Sequence, residues 1–87
     1  FCQTQKMNPA LKFLPFFEKV RSTVPTSYDL ALSFDCGAIK RLGLEVSSTL
    51  INIDHHVSND MYGDINFIDT DAISTTQVLY DFFKTND

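Results

Sequence analysis

The sequence predicts an α/β fold built on a parallel sheet. Three observations predict it: two short apolar runs that each stop at an acidic residue, a connection of about a dozen residues between them, and a strongly capped amphipathic segment at the end. A dozen residues is close to the minimum for a crossover between parallel strands.

The elements follow in chain order. Residues 1 to 8 show no strong periodicity and read as a strand end running into a loop. Pro15 suits the first position of a short helix that buries Phe16, Phe17 and Val20, and Val24-Pro25-Thr26 ends it. Leu30-Ala31-Leu32-Ser33-Phe34 is a mostly apolar strand stopping at Asp35, its composition that of a strand buried on both faces. Ala38, Ile39 and Leu42 are apolar at helical spacing within residues 36 to 48, with Gly43 as the natural stop. Thr49-Leu50-Ile51-Asn52-Ile53 is the second strand and ends at Asp54-His55-His56. Ile65-Asn66-Phe67-Ile68 is the third. Ser74-Thr75-Thr76-Gln77 reads as a capping box, with Ile73 and Val78 as its hydrophobic staple. Thr75, Val78, Leu79, Phe82 and Phe83 then line one face of the closing helix.

Composition narrows the function. The 87 residues make one small domain, with eight Phe and no Trp for its core; a chain of this size buries only about 60% of its unfolded surface. No apolar stretch approaches the roughly 20 residues of a membrane span. No charged segment leads into an apolar one as in a secretory signal, and residue 1 is Phe, so a piece of a longer protein is expected. Seven Lys and Arg against 11 Asp and Glu give a net charge of −4, which argues against a broad basic face for nucleic acid. A phosphate substrate stays open, because bound metal ions supply positive charge. Two cysteines are too few for a disulfide scaffold and point to a reducing, cytoplasmic setting. Asp60 to Asp71 lacks the alternating ligands, central Gly and final Glu of a calcium loop, and for most of its acids a solvated loop is the better reading.

The chemistry gathers at strand ends, where open α/β sheets bind their ligands. Asp35 closes the first strand and Asp54-His55-His56 closes the second. A crossover brings these ends side by side, about 4.8 Å apart, so a carboxylate and an imidazole there can share one ion. Asp35 has an alternative of equal weight, as N-cap of the following helix. A lone His is usually a surface histidine, though two in a row after Asp favour a ligand role. Cys36 is given none, since small free cysteines are mostly just buried.

Ser33-Phe34-Asp35-Cys36-Gly37, then Ile51-Asn52-Ile53-Asp54-His55-His56-Val57-Ser58-Asn59, resembles the DHH family of metal-dependent phosphoesterases. Gly63-Asp64-Ile65-Asn66-Phe67-Ile68-Asp69 and Ala72-Ile73-Ser74-Thr75-Thr76 fit the same pattern. The resemblance is clearest from Tyr28 to Phe83 and strongest to the branch of bacterial nano-RNases that are also phosphatases of 3'-phosphoadenosine 5'-phosphate (pAp).

That resemblance implies a Rossmann-like domain with two divalent ions, usually manganese, with magnesium as the alternative. It makes Asp35 the carboxylate bridging the ions, His55 a ligand of one, and His56 the catalytic residue facing the phosphate. Asp54 orients the site, while Asn59 and Ser74 lie near the substrate; Ser74 also has a competing task as N-cap. The expected substrates are short RNA oligonucleotides or nucleotide phosphates, with no membrane partner and with room for a homodimer. Two other readings are a cyclic-dinucleotide phosphodiesterase of the same family and a non-catalytic nucleotide-binding module.

The family's first motif, a His and two Asp, is expected upstream of Phe1, because residues 1 to 27 hold neither type. Its last metal-binding Asp and its smaller substrate domain are expected beyond Asp87. Residues 1–87 then form part of a catalytic domain, inactive alone, marginally stable or self-associating through open strand edges.

Overall fold

The structure is a computed structural model that describes residues 7–86. The strand end expected at residues 1 to 8 lies almost wholly outside the described residues. Three strands, β1 (Leu30–Phe34), β2 (Thr49–Asp54) and β3 (Ile65–Ile68), form one sheet in the order β1-β2-β3. Both pairings are parallel, and an α-helix, α1 (Thr75–Thr85), follows. The α/β fragment with a parallel, Rossmann-like sheet is therefore as the sequence predicts. No helix among the described residues is long and apolar enough to cross a membrane.

β-Branched and aromatic residues at Thr49, Ile51, Ile53, Ile65, Phe67 and Ile68 suit a pleated, half-buried surface. The entry to the last two strands is pinned by Asp64, whose Oδ2 accepts the Leu50 N–H at 2.8 Å. Asp64 is thus a structural acceptor rather than a solvated loop acid. Gly63 runs so close to β2 that a Cβ there would lie 2.9 Å from the Asn52 Cβ and 2.6 Å from the Ile65 carbonyl oxygen. Only glycine fits such an approach.

Residues in register on parallel strands share a face. Ser33, Asn52 and Asn66 are in register and line one face, together with Leu50 and Asp54 by alternation along β2. The loop from His55 to Asp64 returns over this face, with the Tyr62 hydroxyl 2.6 Å from Ser33 Oγ. The opposite face carries Leu32, Ile51 and Ile65, then Phe34, Ile53 and Phe67. α1 lies on that side: the Phe82 ring meets Phe67 edge-on at 5.5 Å.

The core that results is small and unusually polar. Leu50, Ala72 and Val78 are its buried apolar residues among those described, beside buried Ser33, Asn52, Asp54 and Thr75. β1 is not covered on both sides as its composition suggests. Leu30, Leu32 and Phe34 are exposed, because α1 packs mainly over β2 and β3.

Three further expectations are corrected. The crossover between β1 and β2 holds only a 3-10 turn, Ile39–Arg41; Gly37 and the left-handed Gly43 (φ 63) leave too few residues between them for an α-helix. The segment after Pro15 is likewise a 3-10 turn, Phe17–Lys19, entered through Phe16 in the left-handed region, and buries none of its residues. Ser74 does cap α1, its Oγ accepting the Gln77 N–H at 3.2 Å. Gln77 Oε1, however, accepts from the Ile73 N–H rather than from that of Ser74. Ile73 is 87% exposed, so the staple with Val78 does not form. The helix face is buried at Thr75 and Val78 and open at Phe82 and Phe83.

Candidate metal centre

The carboxyl ends of β1 and β2 bring Asp35, Asp54, His55 and His56 together, with one potential ligand atom from each lying within 4.8 Å of the others. Neighbouring parallel strands make this meeting unavoidable once both strands end in such residues. Asp35 does not cap the next turn, whose N-cap is Ala38 with no side-chain bond. Instead its backbone enters the left-handed region at φ 55, a conformation Asp tolerates as a single residue.

That turn is held from several directions. The Asp35 N–H continues the ladder to the Ile53 carbonyl at 3.1 Å, and the Gly37 carbonyl accepts the Asp60 N–H at 2.8 Å. The Tyr62 hydroxyl donates to the Cys36 carbonyl at 2.8 Å, so it accepts from Ser33 Oγ. Burial pushes the Tyr62 phenol up to about 12, against a smaller lowering by the Ser33 hydroxyl. It remains a neutral donor throughout the range in which proteins work.

Asp54 is fully buried, and hydrogen bonds engage both of its oxygens. Oδ1 accepts the His55 N–H at 2.8 Å and His56 Nδ1 at 2.6 Å. Oδ2 accepts Asn59 Nδ2 at 2.7 Å. Burial by itself would raise its pKa, but these donors outweigh it and hold the carboxyl at about 2. Asp54 is thus ionised and fully engaged as an acceptor, and it fixes the ring of His56.

The two histidines share a tautomer, each holding its Nδ1 proton on an oxygen. His55 Nδ1 faces the Ala72 carbonyl at 3.2 Å, and only an N–H can make that bond, so the neutral ring carries its lone pair on Nε2. Nε2 lies 3.6 Å from Asp35 Oδ1. With the ring neutral, a lone pair and a carboxylate oxygen face each other with no proton between them. This pair is repulsive alone and suited to a cation bonded to each at about 2.1 Å. Imidazole fixed by a carbonyl on its other nitrogen is the usual arrangement of a ligating histidine. An oxygen and a nitrogen donor also match a divalent metal ion. The residues present fit such an ion.

Asn59 sits beside the cluster but faces inward. Its Nδ2 serves Asp54, and its Oδ1 accepts Asn52 Nδ2 and the Met61 N–H, both at 2.8 Å. Ser74 is occupied with capping and lies 2.9 Å from Thr76 Oγ1. Sequence reasoning missed Asn52, whose buried Oδ1 has no hydrogen-bond partner, and Tyr62. It also missed Thr75, placed on the apolar face of the helix by spacing. Its hydroxyl donates to Asp35 Oδ1 at 2.9 Å and lies 3.4 Å from Asp54 Oδ1. The available signal was a hydroxyl in an otherwise apolar stripe, next to the cap of a helix that starts where the strands end.

Comparison with known proteins bears on this site. No family model matches the chain. It is 29% identical over 80 residues to a Bacillus subtilis protein named bifunctional oligoribonuclease and PAP phosphatase NrnA, a match covering 86% of the chain and 25% of that relative. It is 46% identical over 37 residues to a Streptococcus mutans protein named probable bifunctional oligoribonuclease and PAP phosphatase NrnA. The resemblance to the DHH phosphoesterases stands. The second match covers 42% of the chain and 12% of its relative, so the chain spans at most about a quarter of the length of either NrnA protein.

Proposed function

We propose that this chain is the middle of the catalytic domain of a divalent-metal-dependent phosphoesterase that hydrolyses short oligoribonucleotides and pAp. The observation that carries the reading is the facing pair, Asp35 Oδ1 and His55 Nε2, at adjacent strand ends. The names of the two NrnA relatives supply the substrate class. Bound divalent ions, manganese in this reading, would supply a Lewis acid for the phosphoryl group and make water nucleophilic near neutral pH.

The chain's own residues have separate tasks in this reading. Asp35 and His55 hold the ions. His56, its Nδ1–H fixed on Asp54, turns Nε2 to the phosphate or the attacking water. Asp54 stays ionised and sets the His56 tautomer. Ser74 and the first N–H groups of α1 favour an anion at the helix start, while Asn59 acts through Asp54. Two ligand side chains do not saturate two ions, so the remaining ligands come from elsewhere in the protein and the 87 residues alone are not expected to turn over.

The test is manganese-dependent hydrolysis of pAp and a diribonucleotide by the full-length protein and its His55→Ala variant. Cleavage that falls at least 100-fold in the variant is the expected result. Near-normal turnover by the variant would overturn the metal assignment. Cleavage of a cyclic dinucleotide alone would move the activity to a phosphodiesterase, and none of the three cleaved by folded protein would leave a binding module.

A further inference from the structure

Asp35 is the most exposed member of the cluster, yet its carboxylate must keep one orientation to face His55. Backbone bonds fix where the residue sits, but they leave its side-chain torsions free. Among the hydrogen bonds of the described residues, one side chain donates to this carboxylate: Thr75, through Oγ1 at 2.9 Å. The same hydroxyl lies 3.4 Å from Asp54 Oδ1, but it has a single proton. Asp54 Oδ1 already receives two shorter bonds from the His55 N–H and His56 Nδ1. The Thr75 proton therefore belongs to Asp35.

Thr75 is itself held firmly. It is buried at the first position of α1, directly after the capping residue Ser74. As a β-branched residue in a helix it has few side-chain rotamers to choose from. A rigid helix end thus presents one donor to the carboxylate at the end of β1, 40 residues away in sequence.

We propose that Thr75 is a positioning residue for the metal centre: its hydroxyl locks the Asp35 carboxylate in its metal-binding orientation, and its loss weakens divalent-ion binding. The inference rests on the metal reading above. Groups that orient metal ligands in this way typically change affinity 10- to 100-fold when removed.

The experiment is a Mn2+ titration of the full-length protein followed by the electron paramagnetic resonance signal of the free ion. Thr75→Val, which keeps the shape and loses the hydroxyl, is expected to bind Mn2+ about 10- to 100-fold more weakly. Thr75→Ser, which keeps the hydroxyl and loses the methyl, is expected to stay within about threefold of the parent. The reverse order, with Ser weak and Val tight, would show that packing of the methyl matters and would overturn the proposal. If Val at the head of α1 unfolds the protein, Thr75→Ala carries the same comparison, since alanine is the best helix former.

A double-mutant cycle adds the decisive step. In an Asp35→Asn background the Thr75→Val change is expected to have little further effect, because both act through one carboxylate. Fully additive losses would overturn the route through Asp35. Parent protein that leaves the Mn2+ signal unchanged would overturn the metal reading and this proposal together. Tight binding by the parent that Thr75→Val leaves within threefold would overturn the proposal alone.

Discussion

The carboxyl end of the sheet and the segment before it are held together by different means. From Asp35 to Thr75 the chain buries Asn52, Asp54 and Thr75 and, Asn52 Oδ1 apart, joins its buried side-chain polar atoms to partners. From Met7 to Asp29 the chain makes two 3-10 turns with no buried residue, and Phe13 is 79% exposed. The first region is organised by hydrogen bonds around one ionised carboxylate, the second mainly by local turns, with Tyr28 reaching out to accept the Ser47 N–H at 3.0 Å. Position in this molecule is therefore fixed where charge is buried, and apolar content by itself does not fix it.

The largest test of that contrast is Asp54→Ala. It removes the acceptor shared by His55, His56 and Asn59, and breaking a buried charged network of this kind costs about 3 to 5 kcal/mol. Urea denaturation should show the loss directly; a cost below about 1 kcal/mol would mean that the polar network contributes little to the fold.

Acid should expose the same contribution without a mutation. The Asp54 carboxyl lies at about 2 against an ordinary 3.8, so the folded state binds its proton less readily than the unfolded state. The stabilisation is complete above the unfolded value and drains away as pH falls from about 4 towards 2. It amounts to roughly 2 kcal/mol at about 1.4 kcal/mol per unit. Unfolding measured between pH 5 and 2, about the range of that titration, and with chelator present to remove proton linkage to metal, should show a slope that Asp54→Ala abolishes.

Gly63→Ala comes next. Its Cβ would strike backbone atoms of Asn52 and Ile65, and a forced shift of that kind costs about 1 to 3 kcal/mol. The smallest effect belongs to the other region: Phe13→Ser should change stability by no more than about 0.5 kcal/mol. A larger loss would show that residues 7–29 pack against something and would erase the contrast.

How much of this was legible in the sequence follows from the same physics. β2, β3 and α1 were readable because β-branched alternation and a Ser cap are local signals. The Asp54-His55-His56 string was readable because it stands at a strand end. The crossover helix was misread because apolar spacing at Ala38, Ile39 and Leu42 marks a face but not a length, and the stop at Gly43 left room for a 3-10 turn only. Burial of β1 was misjudged because composition shows what a strand can bury, not whether a neighbour arrives. Thr75 was hidden because its partner is far away in the chain, and helical periodicity assigned it to packing.

Asn52 gives the polar network a direction. A carboxylate can only accept, so Asn59 must turn its amino group towards Asp54 and its carbonyl towards Asn52. Asn52 must answer with its own amino group, which turns its Oδ1 to a place with no partner. Like compass needles laid end to end, the amides all take their sense from the charge at one end. The alignment runs on through Asn66, which accepts from Asn52 and donates to the Gly63 carbonyl, so the electrical state of the strand tip is written into the interior as an orientation, with one unmatched oxygen at Asn52.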